Sequence, residues 1–178
     1  MRRNKNTVIT IVFLHSLLFP ILPVLAQTSS EDTAFETAEG VVTTLYNLVS
    51  PKAGTTVDWD RVKSMFIDEA IIVLRTSRTA TTVFSVEGFV NDFITFIEQA
   101  NIKETGFNEK ILRKKSMVFG DMAHVLVLYE AHIPGSQRPP QKGGDSFQLI
   151  RKQDRWWIVS ITNEIPTSNR PIPEELQN

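Results

Sequence analysis

The chain has 178 residues, three histidines and no cysteine, and its formal net charge at pH 7 is −1. The lack of cysteine excludes disulfide bonds, zinc sites built on thiolates and lipid attachment at a leader cysteine. Basic residues are not in excess, so nucleic acid is not an expected partner.

The first 26 residues have the pattern of a secretory signal peptide. A basic start precedes an apolar run over 8–25, and Val24 and Ala26 lie three residues and one residue before the predicted cleavage site. The alternative is an uncleaved membrane anchor, which Pro20 and Pro23 disfavour because they interrupt the run. Cleavage leaves 152 residues, and the loss of three basic residues changes the net charge from −1 to −4. We expect an exported protein, periplasmic or secreted, without membrane contact after cleavage.

The remaining chain divides into a polar lead-in over 27–32, one domain over 33–165 and a flexible, proline-containing tail over 166–178. Two segments of the domain carry apolar residues at three- and four-residue steps, which predicts amphipathic helices. Ser29 or Ser30 can cap the first helix, Ser85 can cap the second, and Asp58 can cap a short helix between them. The apolar stripes are Phe35, Ala38, Val42, Leu45 and Val49 in the first and Val86, Phe89, Phe93, Phe96 or Ile97, and Ala100 in the second.

Strand patterns dominate the second half of the chain. Short strands are predicted over 70–74 and 79–84, and longer ones over 109–119 and 122–133, followed by a hairpin over 144–162 that turns at Gln153 and Asp154. Because the helices come first and the strands gather at the end, the pattern predicts an α+β fold with helices on one face of an antiparallel sheet.

The hairpin has two apolar faces. If it closes at the predicted turn, Leu149 pairs with Ile158 and Phe147 pairs with Ser160. A sheet face that stays apolar outside the core needs a second cover, so we expect a homodimer. The predicted interface residues on the opposite face are Ile150, Trp157, Val159 and Ile161.

The ordered set of local motifs resembles the nuclear transport factor 2-like (SnoaL-like) superfamily, and specifically an exported bacterial branch with no settled activity. The likeness runs from about Thr33 to Glu164. It rests on Asp58-Trp59-Asp60-Arg61, Phe66-Ile67-Asp68-Glu69-Ala70, Phe107-Asn108-Glu109, Phe119-Gly120-Asp121-Met122-Ala123-His124-Val125, Tyr129-Glu130 and Arg155-Trp156-Trp157-Ile158-Val159-Ser160.

The resemblance implies a cone-shaped fold, in which a curved antiparallel sheet wraps around about three N-terminal helices and encloses an apolar cavity, usually as a dimer. It leaves the activity open, because this fold serves isomerases, cyclases, dehydratases and catalytically silent carriers and adaptors. The steroid isomerases of the superfamily carry a general-base aspartate a few residues after the motif matched by residues 68–70. This chain has Val73, Leu74 and Arg75 there, which speaks against that chemistry.

Every second side chain of a strand points to the same face of the sheet, and we expect the inward-pointing set of the long strands to line the cavity. Tyr46 and Tyr129 could each donate a hydroxyl to a ligand carbonyl, or each could bury its ring and turn the hydroxyl to solvent. The inner set on the last strand is Trp156, Ile158, Ser160 and Thr162, which joins Phe147 and Leu149, and its neighbours are Ala123, Val125, Val127, Tyr129 and Ala131. The candidate ligand-binding residues are Tyr46, Phe89, Phe93, Tyr129 and Trp156.

Glu109 is the candidate catalytic acid. A carboxylate held among Phe107, Phe89 and Phe93 would have a raised pKa suited to proton transfer. The alternative is a solvent-facing glutamate paired with Lys110 or Arg113, and Glu130 and Asp145 are open to the same two interpretations.

The sequence predicts no metal and no cofactor. His124 and His132 are eight residues apart on one strand, roughly 26 Å, so they cannot share one ion. Helix capping explains Asp58 beside Asp60. The chain has no phosphate-binding glycine loop, serine elbow, HExxH motif or calcium loop.

Three functions fit these patterns. The first is an exported domain that binds a small apolar or ring-containing ligand. The second is a cofactor-independent isomerase, cyclase or dehydratase that uses a pocket acid with Tyr129 or Tyr46 as proton donor. The third is a protein-interaction adaptor that uses the outer face of the sheet.

Overall fold

The computed structural model describes residues 33–77 and 79–177, in which a curved, unclosed sheet packs against the helices. The predicted leader over 1–26 and lead-in over 27–32 lie outside these residues. Within the described ranges, no helix is long and apolar enough to cross a bilayer. The helices are α1 (Ala38–Leu48), α2 (Trp59–Lys63), α3 (Val86–Gln99) and α4 (Ile102–Thr105), and the strands are β1 (Phe66–Arg75), β2 (Thr81–Phe84), β3 (Asn108–Phe119), β4 (Met122–His132), β5 (Gln141–Lys152) and β6 (Arg155–Glu164).

The six strands form one mixed sheet in the order β2-β1-β6-β5-β4-β3. The predicted α+β fold is therefore confirmed. The expectation of a wholly antiparallel sheet is wrong at one pair, because β1 and β6 run parallel. The chain leaves β1 through the β2 hairpin and α3, and its last strand returns beside β1 in the same direction.

Each of the three longer helices begins at a side chain that accepts a backbone N–H. Thr37 caps α1 at 2.9 Å, Asp58 caps α2 at 2.9 Å and Ser85 caps α3 at 3.1 Å. The predictions for Asp58 and Ser85 are confirmed. Ser29 and Ser30, the predicted caps of the first helix, lie outside the described residues. The short helix α4 was not predicted.

The core lies between α1, α2, α3 and the inner face of the sheet. The predicted stripe of α1 is buried there, and Val125 and Val127 of β4 are fully enclosed. Burial of one such aliphatic side chain contributes about 1.5–3 kcal/mol, so this layer supplies most of the driving force for folding in a protein without disulfides.

The β5–β6 hairpin turns where predicted. Gln153 and Asp154 both have positive φ, 55° and 59°, which is the geometry of a tight two-residue hairpin turn. Leu149 pairs with Ile158, as predicted.

A bulge in β6 changes the faces beyond that pair. Phe147 pairs with Ile161 and not with Ser160, because the register shifts between Gln148 and Leu149. One extra residue on a strand sends every following side chain to the other face. Ile161 is consequently buried on the inner face, so its assignment to a dimer interface is wrong. For the same reason, Ser160 and Thr162 do not share the inner face.

The C-terminal segment 166–177 lies over the outer face of the sheet. It contains a bridge between Thr167 and Arg170 and a 3₁₀ turn over Glu174–Leu176. Leu176 is buried and shares an apolar space of about 270 Å³ with Leu126 and Leu128 of β4. This part of the predicted flexible tail is thus packed against the domain.

Candidate functional site

A cavity of about 210 Å³ lies between α1, α3 and the inner face of the sheet. Apolar cavities near 150 Å³ hold benzene, whereas drug-sized ligands occupy roughly 300–1,000 Å³. This cavity therefore suits one substituted ring. Its apolar walls are Leu45, Val49, Leu74, Phe89, Phe93, Phe147, Ile161 and Ile165, and its polar groups are Tyr46, Arg75, Glu109, Tyr129, Gln141, Asp145 and Asn163.

A hydrogen-bonded network centres on Asp145, which is 9 % exposed. The Tyr46 hydroxyl of α1 donates to Asp145 Oδ2. The Asn163 amide of β6 donates to Asp145 Oδ1 at 2.7 Å and to the Tyr129 hydroxyl oxygen at 3.0 Å. Among the described residues, no acceptor takes the Tyr129 hydroxyl proton, which leaves it available to a ligand.

Gly143 makes room for Tyr129. The two residues face each other on β5 and β4, and a Cβ at position 143 would lie 2.2 Å from the Tyr129 hydroxyl oxygen. Because glycine has no side chain there, the tyrosine ring can lie across the neighbouring strand. This position brings its hydroxyl to Asn163 on β6.

Glu109 faces the cavity from edge strand β3. Ser50 holds its backbone by accepting from the Glu109 N–H at 3.0 Å and donating to its carbonyl at 3.2 Å. Within residues 33–77 and 79–177, no group donates to the carboxylate. Burial raises the pKa of Glu109 to about 8, and the negative charge of Asp145 adds to this effect. At neutral pH the Glu109 carboxyl therefore holds a proton that it can donate.

Asp145 differs from Glu109 because its charge is compensated. Burial raises its pKa to about 6, while the hydrogen bonds from Tyr46 and Asn163 oppose the rise. Burial is the main cause that raises the pKa values of Tyr46 and Tyr129 above the usual range, and the negative charge of Asp145 adds to it. The site thus holds an ionised carboxylate whose oxygens are occupied and two groups free to donate, Glu109 and Tyr129.

Most of the predicted site residues come together here. Tyr46, Phe89, Phe93, Glu109 and Tyr129 all line the cavity, although their roles stay predictions. Phe89 and Phe93 meet edge to face with ring centroids 5.9 Å apart. Neither tyrosine hydroxyl turns to solvent, and Glu109 pairs with no lysine or arginine in the described part of the chain.

Trp156 does not reach the cavity. It is on the inner face as predicted, but its ring packs in the core, and its backbone N–H donates to the Phe35 carbonyl at 3.0 Å. Asn163, which lines the cavity, lies seven residues farther along β6, roughly 23 Å from Trp156. Trp156 is therefore not part of the wall of this cavity.

Asn163 was not identified in advance, and Asp145 was left open between a cavity-facing and a solvent-facing carboxylate. Asp145 shares the strand phase of Phe147 and Leu149, so alternation could have placed it on the inner face. Asn163 carried no such signal, because its direction depends on the bulge. His124 contacts Ser146 at 3.0 Å, and the described residues contain no group of three or more His, Asp or Glu side chains that could hold a metal ion.

No protein-family model matches the chain, and no curated protein matches it. Solved structures do match its fold. An NTF2-like protein with a cystatin-like fold from Novosphingobium aromaticivorans is 12% identical, with a TM-score of 0.58 over 73% of this chain and 81% of the other. An NTF2-like protein of unknown function from Pseudomonas putida KT2440 is 9% identical, with a TM-score of 0.59 over 83% and 98%.

A third similar structure is a candidate scytalone dehydratase from Novosphingobium aromaticivorans, which is 10% identical with a TM-score of 0.54 over 72% of this chain and 81% of the other. At these identities the likeness concerns the fold alone. The chain thus has the NTF2-like, cystatin-like fold that the motifs indicated.

Proposed function

We propose that this protein is an exported domain that binds a small ring-containing ligand through an oxygen directed at Tyr129 and Glu109. The observation that carries the proposal is an apolar cavity of about 210 Å³ with two donors that have no acceptor among the described residues. The Tyr129 hydroxyl is buried, and a buried donor left without a partner costs about 1–3 kcal/mol. A ligand oxygen that accepts from Tyr129 would recover that free energy.

Acetophenone and ethylbenzene test this proposal, because they share size and shape and differ in one carbonyl. A ligand that binds only the folded state raises the unfolding midpoint. We expect acetophenone to raise it more than ethylbenzene, and Tyr129→Phe to reduce the difference.

Filling the cavity provides the matching steric test. Leu45→Phe, inside the cavity, should abolish both shifts, while Leu126→Phe on the outer face adds the same volume and should preserve them. Equal shifts for the two compounds in every variant would contradict the proposed polar contact. The absence of any shift would contradict ligand binding in this cavity.

The second candidate function is cofactor-independent proton transfer, as in an isomerase, cyclase or dehydratase. The raised pKa of Glu109 favours it, since a carboxylate with a pKa near 8 is a stronger base than an ordinary one. With an enolisable ring ketone in D₂O, exchange of the α protons should rise with pH through about 8. Glu109→Gln should abolish that exchange and keep the thermal shift. Exchange that persists in Glu109→Gln would exclude this role.

We also propose that the domain forms a homodimer through the outer face of the sheet. Cross-strand pairing aligns Phe119, Met122, Ile150 and Trp157 in one row across β3, β4, β5 and β6. Phe119 is 79 % exposed and Met122 is 56 % exposed, so the row offers an uncovered apolar surface. The same row would serve an adaptor function if another protein covers it.

A further inference from the structure

The cavity opens into an outer cleft of about 610 Å³. Arg75, Gln141 and Ile165 line both spaces and therefore form the mouth between them. Lys142 and Arg170 lie farther out along the cleft. A ligand larger than the cavity would project past these residues.

Three basic side chains and one acidic side chain line the mouth and the cleft beyond it. Glu164 accepts from Arg75 Nε at 2.9 Å and from Arg75 Nη2 at 3.0 Å, and Arg170 Nη1 lies 3.6 Å from its second oxygen. Thr81 further holds Arg75 through an Nη1 bond of 3.2 Å. In the described part of the chain, no carboxylate lies within ion-pair distance of Lys142. The mouth and the cleft thus carry three cations and one carboxylate, which pairs with two of them.

The interior has the opposite character. Its acidic residues are Glu109 and Asp145, and most of its other lining residues are apolar. An anion inside would lose its hydration and would lie near Asp145, whereas an anion at the mouth would keep water and meet Arg75, Arg170 and Lys142. The two ends of the site therefore select opposite ends of one molecule.

We propose that the ligand is a ring-bearing acid whose ring enters the cavity while its anionic group, a carboxylate, sulfonate or phosphate, rests at the mouth against Arg75, Arg170 and Lys142. This inference rests on the proposed ligand-binding function and names its ligand class. The cations outside the cavity fix the direction of entry, and the donors at Glu109 and Tyr129, which line the cavity, receive an oxygen carried by the ring.

Titration calorimetry with 4-acetylbenzoate and 4-acetylbenzamide tests the anion, because the two share the ring and the ketone. At low salt we expect the acid to bind at least tenfold more tightly, and we expect added salt to reduce this advantage because the mouth is open to solvent. 4-Acetylphenyl phosphate distinguishes a site that prefers a phosphate from one that prefers a carboxylate.

Variants that each lack one positive charge test where the anionic group of the ligand binds. Lys142→Gln and Arg170→Gln should each weaken binding of the acid about threefold and leave the amide unchanged. Lys152→Gln is the matched control, since Lys152 lies ten residues farther along β5, roughly 33 Å away. It should bind both compounds like the wild type.

Equal affinity for acid and amide in the wild type would overturn the inference and leave the ring cavity standing. The same conclusion follows if Lys152→Gln weakens binding of the acid as much as Lys142→Gln does. If neither compound binds while acetophenone still raises the unfolding midpoint, the anion site is wrong and the cavity function remains. If no ring compound binds at all, both proposals fail.

Discussion

Gly143 and Tyr129 show how a missing side chain positions a functional group. A Cβ at position 143 would lie 2.2 Å from the Tyr129 hydroxyl oxygen, so the ring must move in Gly143→Ala. We expect a loss of about 1–3 kcal/mol in the free energy of unfolding and a loss of the preference for acetophenone. Urea unfolding and thermal shifts measure the two effects.

The next residue on β5 is the control for this prediction. A Cβ at position 144 has its nearest neighbour at 3.5 Å, an ordinary van der Waals contact. Gly144→Ala should therefore keep the ligand preference. Equal losses in both variants would show that backbone conformation, and not the Tyr129 ring, causes the effect.

Glu109 should make stability depend on pH. Its folded pKa of about 8 exceeds the usual 4.5, so between these values the folded state binds more protons than the unfolded state. The free energy of unfolding therefore falls as pH rises through this window. Glu109→Gln should remove much of that fall, on the order of 3 kcal/mol between pH 5 and pH 9.

Urea unfolding at pH 5, 7 and 9 measures this slope. Glu104→Gln removes an exposed carboxylate from the short helix α4 and should keep the wild-type slope. Asp145, with a folded pKa of about 6, adds a smaller fall between about pH 4 and pH 6 in every variant. A Glu109→Gln slope identical to that of the wild type would contradict a buried carboxyl at this position.

At the scale of elements, the bulge in β6 decides which side chains face the core. Ile161 lies inside and Val159 is half-exposed, although strict alternation puts both outside. Ile161→Ala should cost about 2–5 kcal/mol because it removes buried methyl groups and enlarges the cavity that Ile161 lines. Val159→Ala should cost less than about 1 kcal/mol. Similar costs for both substitutions in urea unfolding would mean that the bulge is absent.

At the scale of the whole molecule, the outer face has a covered part and an open part. The C-terminal segment covers Leu126 and Leu128, whereas the row from Phe119 to Trp157 stays open. A dimer must therefore use the end of the sheet near the β3–β4 turn and avoid the area beneath Leu176.

Trp157→Glu should release monomers, because it places a charge at the β6 end of the open row. Val83→Glu adds the same charge on edge strand β2, where Val83 is 66 % exposed, and should keep the wild-type assembly. Light scattering at micromolar concentration measures both. A monomeric wild type would contradict the proposed dimer.

Local sequence patterns predicted the starts of α2 and α3, the buried face of α1 and the β5–β6 turn. The caps at Asp58 and Ser85, the stripe of α1 and the turn at Gln153 each depend on residues a few positions apart, so periodicity and turn chemistry were sufficient to predict them. The inward direction of Tyr129 followed from alternation along one regular strand.

Other features of the fold and of the site depend on long-range contacts. The bulge that buries Ile161, the parallel pairing of β1 with β6 and the contact of Tyr46 with Asp145, 99 residues apart in sequence, all depend on how distant segments align. A local pattern does not encode that alignment, because one residue of register changes every side chain that follows it. The polar network and the cationic mouth arise where these distant alignments meet.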